Sequence, residues 1–215
     1  MINFRGFVSA ILLSLYILSA TPSNASEITD SFMEARQMSN ILKMKSIIKE
    51  NKEKIPEEVN VLMEEALNPE TPKEEREWRR LLAELIARTY QEVTRDANLL
   101  KGVKRKAFNT KLTPAVISSA TEGLHIVEIP KPDENTKNIF KPDNTIIKKG
   151  ETVKWVNNDS VEHKFAAVAA ISEGSFDSKT VEPENSFEFK FENPGEYFYI
   201  CFIHQSMIGK IIVEE

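Results

Sequence analysis

Hydrophobic positions follow two different periods along this chain. Up to about residue 110 they recur every three or four residues, and beyond about residue 124 they tend to recur every second one. In the first stretch, Asp30 or Ser31 can cap a helix running to about Glu50, with Phe32, Ala35, Met38, Leu42 and Ile48 approximating one face. A second, shorter helix follows Ile55-Pro56 and carries Val59, Leu62, Met63 and Ala66. The third has the clearest punctuation: Thr71 as N-cap, Pro72 at the first helical position and Glu74 three after the cap. Its stripe is Trp78, Leu81, Leu82, Leu85, Thr89 and Val93, followed by Leu99 and Leu100 and a stop at Gly102. Three amphipathic helices of this kind predict a small bundle. Between the two periods, Thr113-Pro114 and the run Ala115 to Ala120 fit either a short helix or an ordered linker.

The second stretch reads as short strands separated by turns. Leu124 to Ile129 alternates until Pro130, Pro132 and Asn135 interrupt it. Thr145 to Lys148 leads through Lys149-Gly150 into Thr152 to Val156, where Val153 and Trp155 share one face and Val156 takes the other. Asn157-Asn158-Asp159-Ser160 is a turn signal, and Phe165 to Ile171 a weak strand because of its alanines. Phe187, Phe189 and Phe191 alternate with Glu188 and Lys190, Asn193-Pro194-Gly195 turns the chain into Glu196 to Cys201, and Lys210 to Glu214 closes it. Turn-bounded strands over about 90 residues predict a β-sandwich. The expected fold class is therefore α + β in two parts, with a helical domain over 26–110, a linker over 111–123 and a sandwich over 124–215.

Composition sharpens the division. The 215 residues are 41% hydrophobic and 28% charged with a net charge of -5, enough apolar material for cores and no basic excess to neutralise phosphates. Nucleic acid is accordingly not an expected partner. Glu27 to Asn109 is balanced at 16 basic and 16 acidic residues, whereas Thr110 to Glu215 carries 11 and 17. Ahead of both, Arg5, the apolar run Phe7 to Ala20 and the small residues Ser23-Asn24-Ala25 have the form of a signal peptide over 1–25. The run is shorter than the roughly 20 residues a membrane-spanning helix needs. Cleavage near Ala25 is expected, with an uncleaved anchor as the other reading, and membrane contact only in that second case. Either way the remaining chain is expected to be exported, periplasmic or extracellular.

In the helical part, no pair of His, Cys or carboxylate side chains stands at ligand spacing on an inward face. Trp78 with its leucines reads as core rather than as a cofactor box, and Lys101, Lys104, Arg105 and Lys106 as a solvated linker face or, less simply, a dock for an acidic partner or membrane.

The chemistry sits near the end. Cys201 is the only cysteine, which excludes an internal disulfide framework and a four-thiolate zinc or iron–sulfur site. An exported lone thiol is exposed to oxidation, so a metal-capped thiolate explains it better than a free one. Cys201, His204 and Met207 are spaced C-x-x-H-x-x-M between two strands, a loop able to aim all three side chains at one point. A fourth donor must come from elsewhere, and His163 follows the turn after another strand. Two imidazoles, a thiolate and a weakly held thioether suit copper in electron transfer, because thiolate and thioether favour Cu(I) while imidazoles accept Cu(II). Read singly, each has a plain meaning: Cys201 an inert buried thiol, His163 a surface histidine, Met207 core. His125 has no such context and reads as structural or solvent-facing.

The segments Gly150 to Asp159, His163, and Gly195 to Cys201 with His204, Met207, Gly209 and Lys210 resemble the cupredoxins, and within them the plastocyanin/amicyanin group. The short ligand loop is amicyanin-like. The resemblance covers about Leu124 to Glu215 and leaves the helices outside it. It implies a Greek-key β-sandwich, one type 1 copper ion with His163, Cys201 and His204 as equatorial ligands and Met207 as the axial one, and single-electron transfer between a redox donor and acceptor. His204 would be the electron port, with Phe202, Ile203 and Ile208 as an apolar docking patch around it. Two departures stand out: Lys164 occupies the place where many relatives have a bracing asparagine, and Ile203 and Gln205 flank His204 where a proline is common. Such changes alter outer-sphere hydrogen bonding and so the potential.

The same ligands would also serve a copper carrier or sensor. An oxidase or nitrite reductase needs a second, open copper site with further histidines, and only His125 is spare. A thiol hydrolase lacks an orienting third group and an oxyanion donor. Zinc is a competing ion in a heterologously produced protein. The expectation is an electron carrier and not an enzyme.

Overall fold

A computed structural model describes residues 26–118, 120–133, 137–204 and 206–215. The expected signal peptide, Asn135 and Gln205 lie outside the described residues. The chain divides into two compact units, the second starting at Lys104.

Among the described residues the first unit holds α1 (Glu27–Gln37), α2 (Ile41–Glu50), α3 (Ile55–Leu67) and α4 (Lys73–Thr94), and α5 (Asn98–Asn109) adds Leu100 and Val103 to its core. The single helix expected up to Glu50 is two. Ser39 sits in the left-handed region at φ 52, and Asn40 caps α2 by accepting the Lys43 N–H at 2.9 Å. That break re-phases the apolar face: Phe32, Ala35 and Ile48 are buried, Met44 and Ile47 join them, and Met38 and Leu42 are exposed. Ser26, not Asp30 or Ser31, caps α1, and Thr71 makes no cap because α4 starts after Pro72 without a side-chain cap. Arg95 at φ 67 ends α4, while Gly102 lies inside α5 instead of ending it. A mid-helix glycine costs about 1 kcal/mol, less than burial of Leu100 and Val103 returns at roughly 1.5–3 kcal/mol each. Trp78 packs partly buried against the helical core, as a structural tryptophan does.

The second unit is a sandwich. Its strands are β1 (Val116–Ile117), β2 (Leu124–Pro130), β3 (Asn144–Lys148), β4 (Thr152–Asn158), β5 (His163–Ala167), β6 (Asp177–Val181), β7 (Ser186–Lys190), β8 (Gly195–Cys201) and β9 (Ile208–Glu214). One sheet has the order β1-β3-β9-β8-β5-β6 and the other β2-β4-β7. The ambiguous segment after Lys111 therefore supplies a strand, Val116 and Ile117 pairing in parallel with Thr145 and Ile146. The alternation read in β2 and β4 is obeyed: His125, Val127 and Ile129, and Val153, Trp155 and Asn157, all point inward. Trp155 is fully buried at the centre of the core, with Phe176, Phe165, Tyr199 and Phe187 rings at 5.2, 5.5, 5.6 and 5.7 Å.

Three consecutive residues of β8, Tyr197, Phe198 and Tyr199, are buried, so this strand is covered on both faces. The last turns of α5 cover Phe198: Phe108 meets it edge-on at 5.1 Å, and Arg105 and Lys210 lie over its ring at 5.6 and 5.0 Å. Arg105 also donates to the Ile171 carbonyl at 2.6 Å and pairs with Glu173 at 2.6 Å. It is thus a packed, ion-paired side chain and not part of a free linker face.

Candidate metal centre

Strand register brings the distant donors together. β5 and β8 run antiparallel with Phe165 opposite Cys201, so His163, two residues earlier, stands just beyond the end of β8. The preceding turn is held by Asn157, whose Nδ2 donates to the Val161 and Val181 carbonyls at 2.9 and 3.0 Å while its Oδ1 accepts the Asp159 N–H at 3.0 Å. After β8, the loop to β9 is closed by two main-chain bonds, Cys201 N–H to the Met207 carbonyl at 2.9 Å and Met207 N–H to the His204 carbonyl at 2.8 Å. A third, Phe202 N–H to the Lys164 carbonyl at 2.8 Å, ties this loop to β5.

The result is a compact donor group. Cys201 Sγ is 3.9 Å from His163 Nδ1 and 3.8 Å from His204 Nδ1. The ligand atoms of the three residues all lie within 4.8 Å of one another, with His163 and Cys201 buried and His204 half-buried. A thiolate sulfur about 2.3 Å and an imidazole nitrogen about 2.0 Å from a shared ion, roughly 120° apart, would be about 3.7 Å from each other. The residues present therefore fit a single ion. Met207 is fully buried in the same core cluster as Cys201. Phe202 and Ile203 are 55% and 46% exposed, and Ile208 is half-buried. His125 is not part of this group: it is buried against Glu151 at 2.8 Å, and Glu151 also accepts the Lys148 N–H at 2.6 Å. That amide, then His125, holds the Glu151 carboxyl below the usual carboxylate range.

Electrostatics favour a thiolate. Burial alone would push the Cys201 thiol up, but hydrogen bonding to His163 and to the backbone at His204, Lys164 and Ile203 outweighs it and brings the thiol down to about 6. Burial likewise works against a charged His163, and its hydrogen bonds to Cys201 and Asp159 raise it above the ordinary histidine value.

Residues 130–214 match the family described as copper binding proteins, plastocyanin/azurin family. Plastocyanin from Scenedesmus fuscus is 34% identical over 85 residues, which cover 35% of this chain and 87% of that protein. The chain belongs to the plastocyanin/azurin family. Amicyanin from Paracoccus denitrificans is 27% identical over 110 residues, 51% of this chain and 79% of that protein. Among solved structures, a purple cupredoxin from Nitrosopumilus maritimus is similar at 31% identity and a TM-score of 0.37, covering 41% of this chain and 98% of that one. Copper is the ion of this cupredoxin family, and the cluster of His163, Cys201 and His204 offers it a place.

The side chain of Lys164 is exposed, and the link between the two candidate ligand segments runs through its main-chain carbonyl. Sequence reasoning passed over three polar neighbours of the centre: Asp159, which faces His163 Nε2 at 3.1 Å, Asn138, which donates to Asp159 at 2.8 Å, and Asn157. The turn signal Asn157-Asn158-Asp159-Ser160 marked the place. Only the burial of Asp159 at 4% exposure shows that its carboxylate points inward.

Proposed function

We propose that this protein is an exported, mononuclear type 1 copper protein carrying single electrons between a redox donor and an acceptor. His163, Cys201 and His204 are its equatorial ligands and Met207 its axial one. The observation that carries the reading is the meeting of Cys201 Sγ with both Nδ1 atoms at 3.9 and 3.8 Å, although 38 positions separate the first histidine from the cysteine. Bound copper supplies a one-electron couple suited to this donor set. The chain's own part is to hold the donors in one arrangement for both oxidation states. The β5–β8 register, the Phe202–Lys164 bond and the aromatic core behind Cys201 leave the cluster little freedom to relax.

His163, Cys201 and Met207 are buried away from water, while His204 is half-buried and follows the exposed Phe202 and Ile203 in the loop. We assign Phe202, Ile203 and Ile208 to docking around that port. The acidic surplus from Thr110 onward steers a basic partner, an effect that fades with salt. Export rests on the pattern of residues 1–25.

The test is the visible spectrum of the copper-loaded protein. Intense thiolate-to-copper absorption is expected, together with a reversible one-electron couple, and Cys201→Ser abolishes both. A protein that binds Cu(II) and stays nearly colourless is not a type 1 centre. Rapid loss of Cu(I) to a chelator without a reversible couple would assign it to copper carriage instead.

A further inference from the structure

We infer that Asp159 is a positioning residue of the centre: its buried carboxylate holds the His163 ring with Nδ1 turned toward Cys201 and favours the oxidised over the reduced ion. The inference rests on the copper reading above and concerns how this chain tunes it.

Three elements build the arrangement. Asp159 opens the turn after β4, Asn138 comes from the segment before β3, and His163 opens β5. Both carboxylate oxygens of Asp159 accept N–H donors. Oδ1 takes the Ser160 N–H at 2.6 Å, and Oδ2 takes the Asn138 Nδ2–H at 2.8 Å and faces His163 Nε2 at 3.1 Å. The Ser160 main-chain donor on one oxygen and the Asn138 amide on the other mark the group as an acceptor, which is the role of an ionised carboxylate. The remaining partner then donates: once Nδ1, on the side of Cys201, gives up its proton to hold the ion, His163 keeps its ring proton on Nε2 toward Asp159. A carboxylate behind a ligating imidazole raises its basicity and fixes its orientation. Because Asp159 is 4% exposed, solvent does little to screen its charge from the cluster. Asn157 fixes the main chain of the turn by accepting the Asp159 N–H at 3.0 Å, and the Ser160 and Asn138 donors hold the carboxylate itself.

A purely structural role for Asp159 is separable from this one. Capping the turn needs only an oxygen near the Ser160 N–H, which an asparagine also supplies. Orienting the ring and biasing the couple need the charge and the second acceptor.

The test uses Asp159→Asn in the full chain. In the metal-free protein at alkaline pH, with Cys201→Ala removing the thiolate that competes for the proton at Nδ1, nitrogen-resolved NMR of the His163 ring should show the neutral form protonated on Nε2, and adding Asp159→Asn should mix the two tautomers. In the copper-loaded protein, the Cu(I)/Cu(II) affinity ratio should rise about tenfold, the lower end of the usual effect of such outer partners, which raises the midpoint potential by about 59 mV for one electron. An unchanged potential with an unchanged tautomer overturns the inference. Should Asp159→Asn fail to fold, Asn138→Ala keeps the charge but removes a neutral donor from it, so the potential moves downward; a potential that does not move down overturns the inference. A chain that takes up no copper defeats the copper reading instead, and the metal-free tautomer still decides the role of Asp159.

Discussion

The residue after each of the first two donors joins them: Phe202 N–H, next to Cys201, donates to the carbonyl of Lys164, next to His163, across 2.8 Å. Where the family pattern uses a side chain at this position, the present chain uses its backbone. The exposed Lys164 side chain is therefore free of the bracing role.

It follows that Lys164→Ala leaves the centre intact. Thermal unfolding of the variant should differ from wild type by no more than about 0.5 kcal/mol, the range of ordinary surface substitutions, and the visible spectrum should be unchanged. A marked loss of copper colour would show that the side chain, not the carbonyl, carries the brace.

Gly209 should be intolerant of any side chain. It lies opposite Tyr199 in the β8–β9 pair, and a Cβ there would sit 2.2 Å from Tyr199 Cζ. The Tyr199 ring is fully buried among Trp155, Phe140 and Phe176, so it cannot move aside cheaply. Gly209→Ala is expected to destabilise the protein by about 1–3 kcal/mol, as overpacked cores do, measured by denaturant unfolding. It should also disturb the spectrum, because Met207 and Ile208 immediately precede it.

Met207→Leu tests the axial assignment. The substitution keeps volume and burial but removes the sulfur donor, so copper and colour persist while the potential rises through loss of a donor to Cu(II). Redox titration measures this, and an unchanged potential would remove Met207 from the ligand set.

The metal-free protein should show an acidic thiol. The Cys201 value lies below its ordinary range at about 6, so its stabilising contribution is complete above the unfolded value of about 8.5 and disappears as pH falls through about 6. His163 is raised and runs the opposite way, contributing fully below its ordinary value and losing that contribution as pH climbs through the raised one. The two trends oppose each other around neutrality, so the thiolate's own ultraviolet absorbance is the better measure than melting temperature. Its midpoint is expected near 6, and a midpoint near 8.5 would mean that His163 does not pair with it.

Strand content in the second unit was legible from residues wherever alternation was apolar. Phe187 and Phe189 in β7 and Val153 and Trp155 in β4 announce themselves because one face must leave water. β6 was not legible: Asp177-Ser178-Lys179-Thr180-Val181 has little apolar period, and it is a strand because β5 offers it backbone partners. The division of the first helix at Ser39 was equally hidden, since a left-handed residue between two helical runs leaves no apolar signature.

The donor set divides along the same line. Order and spacing alone singled out Cys201, His204 and Met207 as candidates, because Cys201 ends one strand and only the six residues Phe202 to Met207 separate it from the next. They specified the two-part organisation as well, through a change of hydrophobic period. His163 joined the cluster only through the register that sets Phe165 against Cys201, and Asp159 and Asn138 only through the packing of three separate segments. Contacts between residues far apart in the chain depend on which strands pair and in what alignment. That is settled by the burial of whole faces at once, and no local pattern records it.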